Sequence, residues 1–323
     1  MKQSAHTWPI VLAAGEGSRL HCLTTTSVGV TVPKQFCSLH DGASLLDDAL
    51  RRAQTIAPPE QICTVVARQH QRWWRNALGL LPERNVIVQP RNCGTGIGIL
   101  LPLLHIVMRD PDARVVLLPS DHHVREERVL TRALRMAVAE VEARPDQMVA
   151  LGVAPDEADP ELGYIVPGAA DGRGIAAVDR FVEKPSAPLA RSLVEAGALW
   201  NAFIVAANAR TLLRLFETRF PQVVADMRTA VRRDASCPND PVAVQWLYAN
   251  LPSIDFSRHV MQGAEATLRV LRVSHCGWSD LGTPTRVAET LRRSPRASGR
   301  DHPGAATAIL SLSVQQGQAT AQR

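Results

Sequence analysis

Of the 36 basic side chains in the sequence, only three are lysine: Lys2, Lys34 and Lys184. Where lysine and arginine serve equally well, a sequence so biased uses arginine. A lysine kept in the interior of the chain therefore marks a position where a wide planar guanidinium fails and a compact ammonium with three donors fits. Lys34 stands in Pro33-Lys34-Gln35-Phe36, and Lys184 in Phe181-Val182-Glu183-Lys184-Pro185. Chance retention at two surface sites is the plainer alternative, and the surrounding motifs decide between the two.

Residues 12–20 read Leu-Ala-Ala-Gly-Glu-Gly-Ser-Arg-Leu and follow an apolar run directly. Gly15 and Gly17 permit backbone torsions and a close approach that side chains would block. Successive unpaired N–H groups can then cradle a phosphate chain, and Arg19 adds a bidentate donor. The loop is not the dinucleotide fingerprint, because Leu20 stands where its third glycine belongs, and no Gly-Lys-Ser/Thr makes it a Walker loop. An ordinary glycine turn is the bland reading. Asp121, in Pro119-Ser120-Asp121-His122-His123, closes an apolar run beginning at Val115. The carboxyl end of a strand is where open α/β sheets bind ligands, and a carboxylate near a phosphate loop suits Mg²⁺. Adjacent His122 and His123 point to opposite sides of an extended chain, which disfavours zinc. Glu183 and Lys184 also end an apolar run; a surface ion pair of little worth is their alternative. Asp280 precedes Pro284, so a helix cap is its alternative.

The elements that must position these residues follow from periodicity. Short apolar runs at 9–13, 62–67, 86–89, 115–119 and 148–153 alternate with helical spacing at 45–56, 69–80, 94–108 and 126–143. Pro102 is a flaw in the third of these helices. Continuous apolar strands alternating with helices mean a parallel sheet covered on both faces. Beyond residue 153 the pattern changes. Strands at 164–166 and 175–182 surround a glycine-rich turn, further strands fall at 200–206 and 268–273, and helices at 209–216, 222–232, 242–250 and 283–293. Trp73-Trp74 reads as a packing edge or an oligomer contact, and His105, His259 and His275 as structural.

Composition bounds the function. With 46% hydrophobic and 21% charged residues among 323, the chain is globular and has material for a large core. The most apolar stretch, 94–108, is broken by Pro102 and His105, so no transmembrane helix is expected. The run 8–14 is too short for a signal peptide. Six scattered cysteines without a Cys-x-x-Cys pair point to a reducing compartment, taken as the cytoplasm, and away from a cysteine zinc site. The net charge of +5 is spread along the chain and aromatics are 4%. That excludes a nucleic-acid footprint and leaves mild help for an anionic small molecule.

With these motifs on one chain, residues 8–292 resemble the sugar-phosphate nucleotidyltransferases, most closely the mannose-1-phosphate guanylyltransferases. The resemblance rests on the loop at 12–20, Pro33-Lys34-Gln35-Phe36, Pro119-Ser120-Asp121-His122, Gly163-Tyr164-Ile165, Phe181-Val182-Glu183-Lys184-Pro185, Trp200-Asn201-Ala202-Phe203-Ile204, and Cys276-Gly277-Trp278-Ser279-Asp280-Leu281-Gly282, in that order. It implies an α/β fold with a Rossmann-like, mostly parallel sheet flanked by helices and with inserted sugar-binding strands. One domain, 1–292, would divide into a nucleotide-binding part at about 8–153 and a sugar-phosphate-binding part at about 154–292. Residues 293–323, rich in Ser, Ala, Gly and Gln, read as a flexible tail.

The implied activity moves a nucleotidyl group from a nucleoside triphosphate, GTP favoured, to a sugar 1-phosphate, mannose 1-phosphate favoured, with Mg²⁺ as cofactor. The implied partners are these two small molecules, with a homodimer as the protein partner considered and no nucleic acid or membrane. By the same resemblance Ala13, Ala14, Gly15 and Gly17 hold the nucleotide, with Gln89 and Asn92 near its base. Arg19 and Lys34 take its phosphates, and Asp121 and Asp280 share the Mg²⁺. Gly163, Glu183 and Asn201 contact the sugar and Lys184 its phosphate, so that Arg19, Lys34 and Lys184 form the catalytic set. The chain departs from the pattern in the twelve-residue spacer 21–32, in Arg91-Asn92-Cys93-Gly94-Thr95-Gly96, in Ala14 and Ser18, and in Phe203, where glycine is usual. The methylerythritol-phosphate cytidylyltransferases share the Ala-Ala-Gly-x-Gly loop and Pro-Lys-Gln but are shorter and lack Glu-Lys-Pro and Gly-Trp-Ser-Asp. A catalytically silent nucleotide-binding subunit of the same fold is the alternative outside enzymes.

Overall fold

The computed structural model describes residues 6–26, 28–39, 42–237 and 241–293. Nine strands form one sheet: β1 (Thr7–Ala13), β2 (Cys63–Ala67), β3 (Val86–Gln89), β4 (Arg114–Pro119), β5 (Met148–Val153), β6 (Tyr164–Ala170), β7 (Ile175–Val182), β8 (Leu199–Asn208) and β9 (Leu268–Val273). Their order is β3-β2-β1-β4-β8-β5-β9-β7-β6. Strand pairs β1–β2, β2–β3, β1–β4 and β5–β9 are parallel. β8 runs against β4 and β5, and β7 against β6 and β9. All strands but β7 and β8 thus point the same way, which makes the sheet mostly parallel.

The apolar runs are continuous because each strand buries both faces. In β1, Trp8 and Ile10 face one core while Val11 and Ala13 face the other; in β4, Val115 and Leu117 alternate with Val116 and Leu118 in the same way. One core is closed by the helix Gly94–Arg109, which runs on through Pro102, together with Ala209–Arg219 and Pro221–Ser236. Helices Leu45–Gln54 and Glu127–Ala143 close the other. The first of these begins with a full capping box: Ser44 Oγ accepts from the Asp47 N–H, and the Asp47 carboxylate accepts from the Ser44 N–H.

The strand expectations hold, with end residues moving by up to four positions. The helix expected at 69–80 shortens to Gln71–Ala77, entered by a 3₁₀ turn at Arg68–His70. The helix expected at 242–250 is only Ala243–Tyr248. A helix at Ala187–Glu195, with a proline in its first turn, and a π-turn at Ser257–Met261 were not anticipated. Arg293 ends the helix Pro284–Arg293, and the rest of the expected tail lies outside the described residues.

Two features bear on the site. The first is a bulge in β8: Ala150 pairs with Val205 but Gly152 with Asn201, so three residues of β8, 202–204, lie opposite Leu151 alone. The second is the seat of residue 254. Gly94 has φ +83°, and a Cβ on it would lie 2.4 Å from the carbonyl oxygen of Ile254. That oxygen accepts from the Gly96 N–H at 2.7 Å, and the Ile254 N–H reaches the Cys93 carbonyl at 3.0 Å. A left-handed turn and a backbone collision both act at Gly94, so Gly94→Ala is expected to destabilise by ~2 kcal/mol or more. Calorimetry should show Tm falling by about 3 °C or more.

Candidate active site

β1 ends at Ala13 beside β4, and the glycine loop leaves the sheet there. The amide of Gln35 fixes the loop, donating from Nε2 to the carbonyls of Ala13 and Gly15, each at 3.0 Å. Gly17 has φ +63°, and a Cβ on it would come within 2.9 Å of the Lys34 Cβ. The second glycine is therefore required by the lysine that packs on it. Lys34 is 5% exposed. Its ammonium donates to the Asp280 carbonyl at 2.5 Å and pairs with Asp121 Oδ2 at 3.1 Å.

The segments that carry the two aspartates, 159 residues apart, are joined by a backbone bridge: the His123 N–H donates to the Ser279 carbonyl and the Ser279 N–H to the His123 carbonyl, both at 2.9 Å. Upstream, the Ser120 hydroxyl anchors to the Leu12 carbonyl at 2.7 Å. Burial pushes the Asp121 carboxyl up, but Lys34 and then His122 pull harder, and it lies below the usual carboxylate value. Asp280 behaves alike, with burial outweighed by Arg286, His122 and Lys34. Burial drives His122 down to about 4, so the ring is neutral near pH 7. Asp280 is no helix cap. Its Oδ1 accepts from Arg286 Nη1 at 2.6 Å, and the Arg286 N–H turns to Thr283 Oγ1 at 3.3 Å. Asp121 lines the cleft beside the glycine loop while the Asp280 carboxylate is held by Arg286, and ionised carboxylates are hard-oxygen donors of the kind Mg²⁺ uses alongside substrate phosphates. Among the described residues no group of three or more His, Cys, Asp or Glu side chains could hold a metal on its own.

Next to this junction lies a cleft of about 250 Å³, lined by Ala14, Gly15, Gln35, Gln89, Asn92 and Asp121 among others. Gln89 is 2% exposed, and among the described residues its amide nitrogen has no hydrogen-bond partner. A buried, unpaired donor in a cleft wall calls for an acceptor on whatever enters. Asn92 Oδ1 accepts from the Gly94 N–H at 2.9 Å and shapes the turn into the long helix.

A second cluster sits at the ends of β6, β7 and β8. The Asn201 N–H donates to the Gly163 carbonyl at 2.8 Å, and a Cβ on Gly163 would lie 2.5 Å from Glu183 Oε2. Burial, and then the Asp255 charge, push Glu183 up to about 7, against the opposing pull of Lys184 and Arg258. Lys184 pairs not with its neighbour Glu183 but with Glu161 Oε2 at 3.9 Å, and Arg19 reaches the same oxygen at 3.6 Å. The structure thus keeps Arg19 and Lys184 out of the cleft lining and joins them, half-exposed, on one carboxylate. Among the described residues the non-glycine positions with positive φ are Lys184, Phe203 and Leu281, all in these clusters. Such strain gathers where a site over-determines its backbone.

Sequence reasoning missed Gln35 as the clamp of the loop, His122 as the neutral ring among the charges, and Arg286 as the partner of Asp280. The first two lay inside quoted motifs; Arg286 carried no signal among 33 arginines (36 basic side chains less three lysines). Trp73 and Trp74 pack within the chain: Trp73 stacks on Phe36 at 6.1 Å, and Trp74 Nε1 donates to the Ala67 carbonyl at 2.9 Å.

A model of the nucleotidyl transferase family matches residues 8–293. The xanthan biosynthesis protein XanB of Xanthomonas campestris pv. campestris is 30% identical over 92% of this chain and 61% of its own length. A mannose-1-phosphate guanylyltransferase of Salmonella muenchen is 27% identical over 89% of this chain and 60% of its own. The chain thus spans about three fifths of the length of these curated relatives. The crystal structure of a Thermus thermophilus protein named mannose-1-phosphate geranyltransferase superposes with a TM-score of 0.72 at 28% identity, covering 86% of this chain and 76% of that one.

Because the Lys34 ammonium serves a buried carbonyl and a carboxylate, Lys34→Met strands both acceptors and is expected to destabilise by ~1–3 kcal/mol. Asp121→Asn keeps an oxygen for the ammonium and is expected to cost less. Thermal denaturation of the two variants checks the order.

Proposed function

The chain belongs to the nucleotidyl transferase family, and we propose that it joins the nucleotidyl group of a nucleoside triphosphate, GTP first, to a sugar 1-phosphate, mannose 1-phosphate first, with release of pyrophosphate. The observation that carries this reading is the Lys34 ammonium held between Asp121 and Asp280 beneath the glycine loop. It places one cation and the Asp121 carboxylate, with the Asp280 backbone beside them, where a polyphosphate and its metal would lie. The names of the relatives support the choice of base and sugar.

In this reading residues 8–153 hold the nucleotide and 154–292 the sugar phosphate, with Ala13, Ala14, Gly15 and Gly17 offering backbone N–H groups to the phosphates. A phosphate oxygen of the sugar 1-phosphate attacks the α-phosphorus in line, the new P–O bond forms, and the bond to the leaving pyrophosphate breaks. The nucleophile is already ionised at neutral pH, so the site needs no general base. This agrees with His122, whose value of about 4 makes its ring a weak base, and with motifs that contain no Ser-His-Asp set. Catalysis becomes positioning and charge neutralisation. Lys34 meets charge on the triphosphate, while Arg19 and Lys184 exchange the Glu161 carboxylate for substrate phosphate. Glu183 and Asn201 take sugar hydroxyls. Asp121 and Asp280 would hold Mg²⁺, which neutralises the triphosphate when bound. Free cysteines suit a cytoplasmic enzyme.

The test is pyrophosphate release from GTP, UTP, dTTP and CTP, each against mannose, glucose and fucose 1-phosphates. GTP with mannose 1-phosphate is expected to be the best pair. A preference for another base moves the protein to a sister activity, and nucleotide binding without turnover in any pair leaves a silent binding subunit.

Glu183 adds a pH signature. Its folded value of about 7 lies above the ordinary 4.5, so between these limits the folded chain keeps a proton that the unfolded chain has lost. Stability contributed by the neutral acid is complete below about 4.5 and is lost as pH rises towards 7. Glu183→Gln is expected to remove that slope from the pH profile of Tm. It should also remove any fall in the KM for sugar 1-phosphate as the pH rises through 7.

A further inference from the structure

β8 carries an aromatic side chain in a backbone conformation that suits glycine. Phe203 has φ +56° and sits in the middle of the bulge at 202–204. Bulges beside active sites re-aim a side chain out of the regular alternation of a strand. Here the Phe203 N–H is drawn to Asn201 Oδ1 at 3.0 Å. Its ring lies among the lining of the 250 Å³ cleft, with Leu12, Val65 and Gln89.

The ring is also backed. It meets Phe256 edge-on, at 6.1 Å and 72°, and Phe256 in turn stacks on Phe216 at 6.0 Å. Phe216 and Phe256 are fully buried. The Phe256 N–H donates to Thr95 Oγ1 at 2.8 Å, which ties this aromatic column to the first turn of the helix whose Gly94, Thr95 and Gly98 also line the cleft. An aromatic that adopts an unfavourable φ, is held by a column of buried rings and presents its remaining surface to a cleft is a preformed platform.

We propose that Phe203 forms a wall of the nucleoside slot and stacks on the nucleoside, supplying affinity that does not depend on which base is bound. The proposal rests on reading the cleft as the nucleotide site. Every base has a π-face, so stacking is tolerant of base identity. Selection then falls to polar groups such as the unpartnered amide of Gln89. Phe203 is on this account a substrate-contacting residue, separate from the charge junction at Lys34.

The test is calorimetric titration of Mg²⁺-GTP and Mg²⁺-UTP into the parent protein and into Phe203→Gly, Phe203→Leu and Phe203→Tyr, with Tm and the KM for mannose 1-phosphate measured alongside. Phe203→Gly is expected to weaken whichever nucleotides the parent binds by one common factor, roughly 5- to 150-fold. The KM for the sugar phosphate should stay in place, and Tm should show the variant still folded at the titration temperature, since the φ strain that glycine relieves offsets part of the packing lost against Phe256. Phe203→Leu, which keeps the strain but loses the aromatic face, should also bind weakly, and Phe203→Tyr should bind as the parent does. Unchanged or tighter nucleotide binding in Phe203→Gly overturns the proposal and makes the ring an obstruction. A loss confined to the sugar phosphate also overturns it and places the ring at the other substrate. A parent that binds neither nucleotide overturns the reading of the cleft, and the platform with it.

Discussion

One buried ammonium holds the candidate site together. Lys34 Nζ reaches the Asp280 carbonyl and the Asp121 carboxylate from a backbone position pressed against Gly17. A guanidinium, planar and wider, has no comparable place between a carbonyl and a carboxylate that the His123–Ser279 backbone bridge already fixes. The loop glycine, the surviving lysine and the two distant aspartates are therefore a single constraint expressed at four positions. It accounts for a lysine at residue 34 in a chain that otherwise uses arginine.

Around this junction the charges fall into two classes. Arg286 is 8% exposed, bonds Asp280 and Asp159 at 2.6 Å each, and lies 5.0 Å over the Trp200 ring. Removing either partner would leave a buried charge uncompensated, so this network is permanent. Glu161 is different. Its contacts with Arg19 and Lys184 are long and half-exposed, and such pairs are worth little in water. An anion with greater charge can displace that carboxylate at small cost. The segment 156–161 thus bears one carboxylate, Asp159, fixed in the structure, and another, Glu161, that can be exchanged.

The sheet was legible wherever a strand buries both faces, because an unbroken apolar run has few other readings. The expected limits 86–89, 148–153, 175–182 and 268–273 match β3, β5, β7 and β9. Gly15 and Asp121 could be grouped from their motifs, and Gln89 and Asn92 from the family resemblance, and the four do share a cleft. What composition and spacing do not carry is long-range pairing. The apolar run of β8 looks like any other, yet it lies between β4 and β5 in reverse, and its bulge exists only relative to Leu151. The helix Ala187–Glu195 is nine residues long with two buried positions, too short a pattern to stand out. Glu161 and Arg286 fall in none of the motifs, and only the fold brings their partners to them.

The reversed strand also governs the order in which the sheet can be completed. β4 pairs with β1 on one side and only with β8 on the other, and both neighbours of β5, β8 and β9, come later in the chain. While the polypeptide is being synthesised, β4 presents an unpaired, largely apolar edge until residues 199–208 have emerged, and β5 can join β4 only through them. Unpaired apolar edges recruit other chains, and pairings across ~90 residues are slow to form. The strand that closes this gap is the one bearing Asn201 and Phe203, so the site takes shape only when its two halves are locked together.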